Sequence, residues 1–144
     1  MKTALITGGL GFIGSNICDL LLQKKFTNEC VLLDNFGGYM NPIKDSFVDF
    51  RKQRFPSLKN IIIERCDTSN YKALSSIINK YKPNYIYHTA ALPLAKVSNL
   101  NNEEAKISSV DSTVNIIDAI NLLKNSNQKY QFERLIYFSS SMVY

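Results

Sequence analysis

The chain alternates short apolar runs with longer segments in which apolar residues recur every three or four positions. The short runs are Thr3–Thr7, Val31–Asp34, Ile61–Glu64, Tyr85–Thr89 and Leu135–Ser139. Each is rich in Ile, Val, Leu or Tyr and lacks the apolar-polar alternation of a strand with one wet face. Between them, Ile13, Ile17, Leu20 and Leu21 fall on one predicted helical face, Leu74, Ile77 and Ile78 on a second, and Ile107, Val110, Val114 and Ile117 on a third. Strands buried on both faces and alternating with helices predict an α/β fold on a parallel sheet. Right-handed crossovers leave few ways to connect such strands, and the doubly wound parallel sheet leads among them. With no repeat, low-complexity tract or Pro/Gly-rich linker, residues 1–144 read as one domain.

Composition narrows the class. Of 144 residues, 45% are hydrophobic and 20% charged, which excludes a disordered chain and leaves enough apolar surface for a core. The net charge of +5 would suit an anionic partner. The densest cations, Arg51, Lys52 and Arg54, lie among Phe47, Phe50 and Phe55 in the long Asn35–Pro56 connection. They read as the wet face of a short amphipathic helix with its rings turned inward, so nucleic acid is not assigned as a partner. No run approaches the roughly 18 apolar residues of a membrane span, and the apolar start is too short for a secretory leader, so a cytoplasmic protein without a membrane partner is expected. Cys18, Cys30 and Cys66 are an odd number at wide spacing and read as reduced core thiols. His88 is the only histidine and has no Cys close by in sequence, so no metal site is predicted.

The chemistry concentrates after the first strand, at Thr7-Gly8-Gly9-Leu10-Gly11-Phe12-Ile13-Gly14, where a helical pattern begins inside the glycine-rich stretch. A strand, a glycine turn and a helix start are what a dinucleotide pyrophosphate needs. One glycine makes the turn, one lets the backbone approach the phosphates, and one lets helix pack on strand, while free N–H groups of the helix start face the anion. The glycines fit as Gly9-x-Gly11-x-x-Gly14 or as Gly8-x-x-Gly11-x-x-Gly14, and either register puts Gly11 and Gly14 at the phosphates. Asp34 ends the second strand 20 residues after Gly14, the spacing at which a carboxylate takes the adenosine ribose hydroxyls and repels a 2′-phosphate. NAD is therefore expected over NADP. The competing reading is that Asp34 merely opens the following turn.

With Asp34-Asn35, Cys66-Asp67-Thr68, His88-Thr89-Ala90-Ala91 and Phe138-Ser139-Ser140-Ser141-Met142-Val143-Tyr144, the glycine stretch resembles, over essentially the whole chain, the extended short-chain dehydrogenase/reductases, and among them the NAD-dependent nucleotide-sugar epimerases and dehydratases. The resemblance implies a Rossmann fold truncated after its fifth strand, with residues 1–144 an incomplete NAD-binding domain of a longer enzyme that acts on a nucleotide sugar as a homodimer. It implies cofactor contacts at Gly8, Gly11, Phe12, Ile13, Gly14, Asp34 and Asn35, with Asp67 and Thr68 beside the adenine. Ala90 and Ala91 would follow the pyrophosphate and nicotinamide ribose, Ser139 would approach the nicotinamide, and His88 would be structural. Counting back from Tyr144 puts the catalytic hydroxyl at Ser140, and counting forward through the serines puts it at Ser141; Ser140 is preferred. That hydroxyl would hydrogen-bond the substrate oxygen as it loses its proton.

Departures from the family pattern are equally specific. Where the family has Asn-Val-x-Gly-Thr this chain has Ser109-Val110-Asp111-Ser112-Thr113, so the contact of that Asn does not carry over. The family's base is a Tyr with Lys four residues on. No Tyr of this chain has one, and Tyr144 has no successor. The leading expectation is an epimerase that passes hydride transiently to NAD through a keto-sugar, with the isolated chain inactive. A 4,6-dehydratase or a reductase of the same family is the rival, but dehydratases carry Asp-Glu after the catalytic Thr, and here Ser141-Met142 follow Ser140. Asp34-Asn35-Phe36 with Tyr39, Pro42, Lys44 and Arg51 looks most like the UDP-glucuronate 4-epimerase type. An NAD-binding module without catalysis is the reading from another class.

Overall fold

A computed structural model of the chain describes residues 1–37, 53, 60–92 and 102–139. Five strands, β1 (Thr3–Thr7), β2 (Glu29–Asp34), β3 (Ile61–Arg65), β4 (Tyr85–His88) and β5 (Arg134–Tyr137), form one all-parallel sheet in the order β3-β2-β1-β4-β5. The helices are α1 (Phe12–Gln23), α2 (Tyr71–Tyr81), the short α3 (Asn102–Lys106) and α4 (Ser112–Ser126), the last two joined by a wide turn of π-helix over Ile107–Asp111. This is the doubly wound arrangement, and β1 is its centre. The chain goes first to one side of β1 and then to the other, so a crevice opens at the ends of β1 and β4.

The apolar runs conceal a strict twofold alternation. Leu5, Val31, Leu33 and Ile86 face a cluster with Leu74 and Ile78 of α2 and Ile116, Ala119, Ile120 and Leu123 of α4. Ala4, Ile6, Cys30, Leu32 and Tyr85 face the other way, onto Cys18 and Leu10. The parallel register aligns each set across the strands, Leu5 opposite Val31 and Ile86, and Ala4 opposite Cys30 and Tyr85. The three cysteines are free thiols, all buried. Burial, and after it the neighbouring Asp67 and Glu64, pushes the Cys66 thiol up and keeps it protonated.

Three expectations change. The stripe Ile107, Val110, Val114 and Ile117 is exposed, and the buried face of α4 is Ser112, Ile116, Ala119, Ile120 and Leu123. Both stripes have helical spacing, and periodicity alone cannot rank them; the sheet and α2 take the one with the alanine, which lets the helices approach. On α1, Ile13 and Leu20 are exposed, while Gly14, Ser15 and Cys18 are buried with Ile17 and Leu21 half-buried beside them. The close approach of α1 to the glycine turn selects small residues for the inner face. Finally, β3 and β5 lie at the sheet edges and are only half covered, unlike β1 and β2. The cations Arg51, Lys52 and Arg54 and the rings Phe47, Phe50 and Phe55 lie outside the described residues.

Candidate functional site

Because all five strands run the same way, the residues that follow them gather on one edge of the sheet. Gly8, Asp34, Asn35, Asp67, Thr68, Ala90, Ala91 and Ser139 all lie in or just beyond a strand end there, and Phe12, Ile13 and Gly14 open α1 beside them.

The glycine turn is built by close approach. Gly8 adopts φ +63°, a left-handed conformation that costs an L side chain, and a Cβ there would stand 3.0 Å from the Ala90 backbone. At Gly14 a Cβ would come within 2.4 Å of the Gly8 carbonyl, so helix and turn can close only on a hydrogen. A Cβ on Gly9 would strike Leu32 of β2. Gly11 differs, since only the Gly8 carbonyl, at 3.0 Å, would be near its Cβ, and the remaining side is open. The two glycine registers are thus not alternatives. Gly8, Gly9 and Gly14 are needed for packing, and Gly11 leaves the cradle clear.

Gly11 caps α1 without a side chain, and the first bond into the helix runs from Ser15 N–H to the Gly11 carbonyl. The N–H groups of Phe12, Ile13 and Gly14 precede that bond and have no acceptor within the helix. Phe12 and Ile13 are exposed at this mouth.

Asp34 is buried, and its carboxylate accepts the Leu10 N–H at 3.0 Å and the Phe36 N–H at 2.9 Å. It therefore does open the next turn, in which Phe36 takes φ +60°, and it also ties the glycine turn to β2. These two bonds use about half of the roughly four lone-pair sites of a carboxylate. Next to it, Asn35 Nδ2 donates to Asp67 Oδ2 at 3.0 Å, and the Ser69 N–H and hydroxyl donate to Asp67 Oδ1 at 2.9 and 2.7 Å. Partial burial works to raise the Asp67 carboxyl, but the bonds from Asn35 and Ser69 hold it below its ordinary value.

Beneath the crevice runs a hydrogen-bond relay that the sequence did not reveal. Ala90 N–H donates to Thr7 Oγ1 at 3.2 Å, and Thr7 Oγ1 lies 2.7 Å from His88 Nδ1. His88 Nε2 lies 3.4 Å from Ser112 Oγ, whose hydroxyl donates to the Ser108 carbonyl at 2.7 Å. With its proton given to Ser108, Ser112 can only accept, so a neutral His88 carries its proton on Nε2 and accepts from Thr7 at Nδ1. Burial lowers the His88 pKa to about 4, which keeps the ring neutral at neutral pH and makes it a structural strut. Ser112, which stands where the family pattern has a glycine, is itself fully buried against it.

Sequence reasoning also missed Asn115, whose side chain reaches the loop after β3, and Leu10, whose N–H meets Asp34. A short polar residue mid-helix and a backbone donor carry no sequence signal. Ser140, Ser141 and Tyr144, with Tyr39, Pro42, Lys44 and Arg51, lie outside the described residues. Ser139 is exposed past β5. Among the described residues no cluster of His, Cys, Asp and Glu is arranged to hold a metal, and no helix is long and apolar enough to cross a membrane.

Comparison with known proteins agrees with this layout. The family model described as "NAD dependent epimerase/dehydratase family" matches residues 4–144. The dTDP-D-glucose 4,6-dehydratase of Dictyostelium discoideum is 28% identical over 144 residues, and the CDP-paratose 2-epimerase of Salmonella typhi 27% identical over 140. The chain spans 30% and 37% of those proteins' lengths. A UDP-glucose-4-epimerase from Stenotrophomonas maltophila, crystallised with NAD and formylated UDP-arabinopyranose, superposes with a TM-score of 0.77 at 19% identity, over 99% of this chain and 38% of that one. That likeness is one of fold.

Proposed function

The chain belongs to the NAD-dependent epimerase/dehydratase family, and from that premise we propose that it forms the NAD-binding domain of a nucleotide-sugar epimerase. One observation carries the reading. The open face of Gly11, the N–H groups of Phe12, Ile13 and Gly14 ahead of the first helical bond, and the buried Asp34 carboxylate meet on one edge of the sheet, at the point where the strand order reverses. Residues of these types fit a dinucleotide: N–H groups for the pyrophosphate, a carboxylate for ribose hydroxyls, and Asp67, Thr68 and Asn35 for the adenine side. Ala90, Ala91 and Ser139 continue the line toward the nicotinamide end. NAD, when bound, supplies the hydride acceptor. The chain's own residues orient it, and the Ser140 hydroxyl hydrogen-bonds the substrate oxygen during proton loss.

Titration of NAD and NADP into the purified chain tests the cofactor half of the proposal, and an assay of a longer protein that carries this domain, on a panel of UDP-sugars with UDP-glucuronate included, tests the reaction. The presence of both a dehydratase and an epimerase among the relatives keeps dehydration as the second reading. The absence of an acid directly after Ser140 favours epimerisation. We further propose a homodimer through the exposed stripe Ile107, Val110, Val114 and Ile117, and a cytoplasmic site consistent with three reduced thiols.

A further inference from the structure

Asn115 stands on α4 one turn after Ser112, and its side chain crosses to the loop that follows β3. Its Nδ2 lies 3.0 Å from the Thr68 carbonyl and 3.0 Å from the Ser69 carbonyl, so one amide grips two consecutive peptide units. Only a short side chain with two N–H donors can do this. Asp at the same place would set a carboxylate against two carbonyl oxygens. Asn is also a poor helix former in a helix interior, so the residue weakens α4 locally and its use lies in what it reaches.

The grip continues into the candidate site without a break. Ser69, held at its carbonyl by Asn115, uses its N–H and hydroxyl to hold Asp67 Oδ1, and Asp67 Oδ2 in turn accepts from Asn35 Nδ2. Asn35 also accepts the Gly37 N–H at 2.8 Å, which closes the turn after β2. A single contiguous set of hydrogen bonds therefore runs from α4 through the β3 loop to the β2 turn. It includes Asp67 and Asn35, while Thr68 is gripped directly. The backbone tie of this loop to β2, Cys66 N–H to the Asp34 carbonyl, acts before Asp67, and Asn115 holds the loop beyond it.

We propose that Asn115 is a positioning residue for the adenine-side wall of the cofactor site. It acts through Thr68 and Ser69, which it holds so that Asp67, Thr68 and Asn35 keep one arrangement before binding. The inference rests on the reading of those three residues as the adenine side, and it adds that their order is imposed from α4.

The test is calorimetric titration of the full chain with NAD and, separately, with AMP, which carries only the adenosine half. Asn115→Ala should weaken both by the same factor, about 5- to 30-fold, the scale of one or two neutral hydrogen bonds. Asn115→Asp, of equal size, should be worse than Asn115→Ala at neutral pH and recover as the pH is lowered through its ionisation. In an Asp67→Ala background, Asn115→Ala should cost less than it does in the parent, because the route through Asp67 is already cut and only the direct hold on Thr68 remains. A parent that binds NAD and AMP, with Asn115→Ala and Asn115→Asp both within twofold of it, overturns the positioning role and leaves the cofactor reading standing. The positioning role falls equally if the variants melt earlier yet keep parent affinity for AMP, because Asn115 would then be a staple of the fold only. Should Asn115→Ala not fold, Asn115→Ser and Asn115→Asp carry the comparison. A parent that binds neither NAD nor AMP overturns the cofactor reading and this inference with it.

Discussion

The Asp34 carboxylate serves two N–H groups of its own chain and, in the proposed function, two ribose hydroxyls as well. Charge at that place should favour NAD over NADP by about tenfold or more, roughly 1.4 kcal/mol of discrimination. Asp34→Asn should narrow the preference and cost about 1–3 kcal/mol of stability, since one of the Leu10 and Phe36 N–H groups loses its acceptor. Equal or tighter NADP binding by the parent removes Asp34 from the ribose site. His88 yields a pH dependence. Its folded pKa of about 4 lies below the ordinary 6.5, so the unfolded chain binds the proton more readily, and stability complete above pH 6.5 is lost as the pH falls toward 4. The full loss is roughly 3 kcal/mol. Glu64 and Glu133, held below the ordinary 4.5 by hydrogen bonds to Lys80 and Tyr81 and to Tyr85 and Lys2, lose their share of stability only as the pH falls below that ordinary value, so the upper part of the window belongs to His88. Urea midpoints from pH 7 to 4.5 should fall in the parent and stay nearly level in His88→Gln; parallel curves would assign the loss elsewhere. In protein that turns over a nucleotide sugar, Ser140→Ala should lower kcat about 10- to 1000-fold without changing NAD affinity. If Ser141→Ala is the damaging change instead, the catalytic hydroxyl is one residue further on.

At the scale of elements, the glycine turn separates packing from binding. Gly14→Ala would drive a methyl to 2.4 Å from the Gly8 carbonyl, and a backbone contact of that kind cannot relax by a rotamer change. It should cost about 3 kcal/mol or more, about 10 °C in Tm. Gly11→Ala meets only the Gly8 carbonyl at 3.0 Å, in an extended backbone at φ −69° that alanine adopts freely. That variant should melt close to the parent and lose NAD, because its methyl stands in the open side of the cradle. Differential scanning fluorimetry beside NAD titration distinguishes the two, and a Gly11→Ala chain with parent affinity would move the phosphates away from this turn. The wide turn at Ile107–Asp111 belongs to this scale too. It lets α4 offer Ser112 to His88 and Asn115 to the β3 loop from one face, two positions three residues apart.

For the whole molecule, the expectation is that these 144 residues bind NAD but do not epimerise. They hold the glycine turn, Asp34 and Ser140, and no Tyr with Lys at the fourth following position. Without a group to take the hydroxyl proton, loss of hydride from the sugar carbon would leave a high-energy protonated carbonyl instead of the neutral keto-sugar. Turnover at ordinary enzyme rates with UDP-sugars would reveal a base among residues 1–144. The exposed stripe on the helix face bears on assembly. Val114 is 46% exposed and Val110 54%, apolar surface of the kind that a second copy would cover. Sedimentation velocity should find dimers in the parent and monomers in Val114→Glu, with NAD affinity retained; a monomeric parent removes the dimer.

Much of this was already written in the order of residues. A strand that ends in Thr7, glycines at fixed offsets and an acid 20 residues on are local features, because a turn, a helix start and the end of the next strand are set by neighbours in the chain. The alternation of strand and helix patterns then leaves little choice but a parallel sheet, and parallel strands bring every following loop to one edge, which is why predicted contacts scattered from Gly8 to Ser139 lie together. Other features depended on which surfaces meet. Ile107, Val110, Val114 and Ile117 form as regular a stripe as the one α4 buries, and only docking on the sheet and α2 decided between them. The inner face of α1 went to Gly14, Ser15 and Cys18 over the larger Ile13 and Leu20, because the turn approaches too closely for a branched side chain. The links from Thr7 to His88, from His88 to Ser112 and from Asn115 to Thr68 join residues 81, 24 and 47 positions apart through single hydrogen bonds. No periodicity records such pairs; they exist only once packing has brought both ends within 3.5 Å.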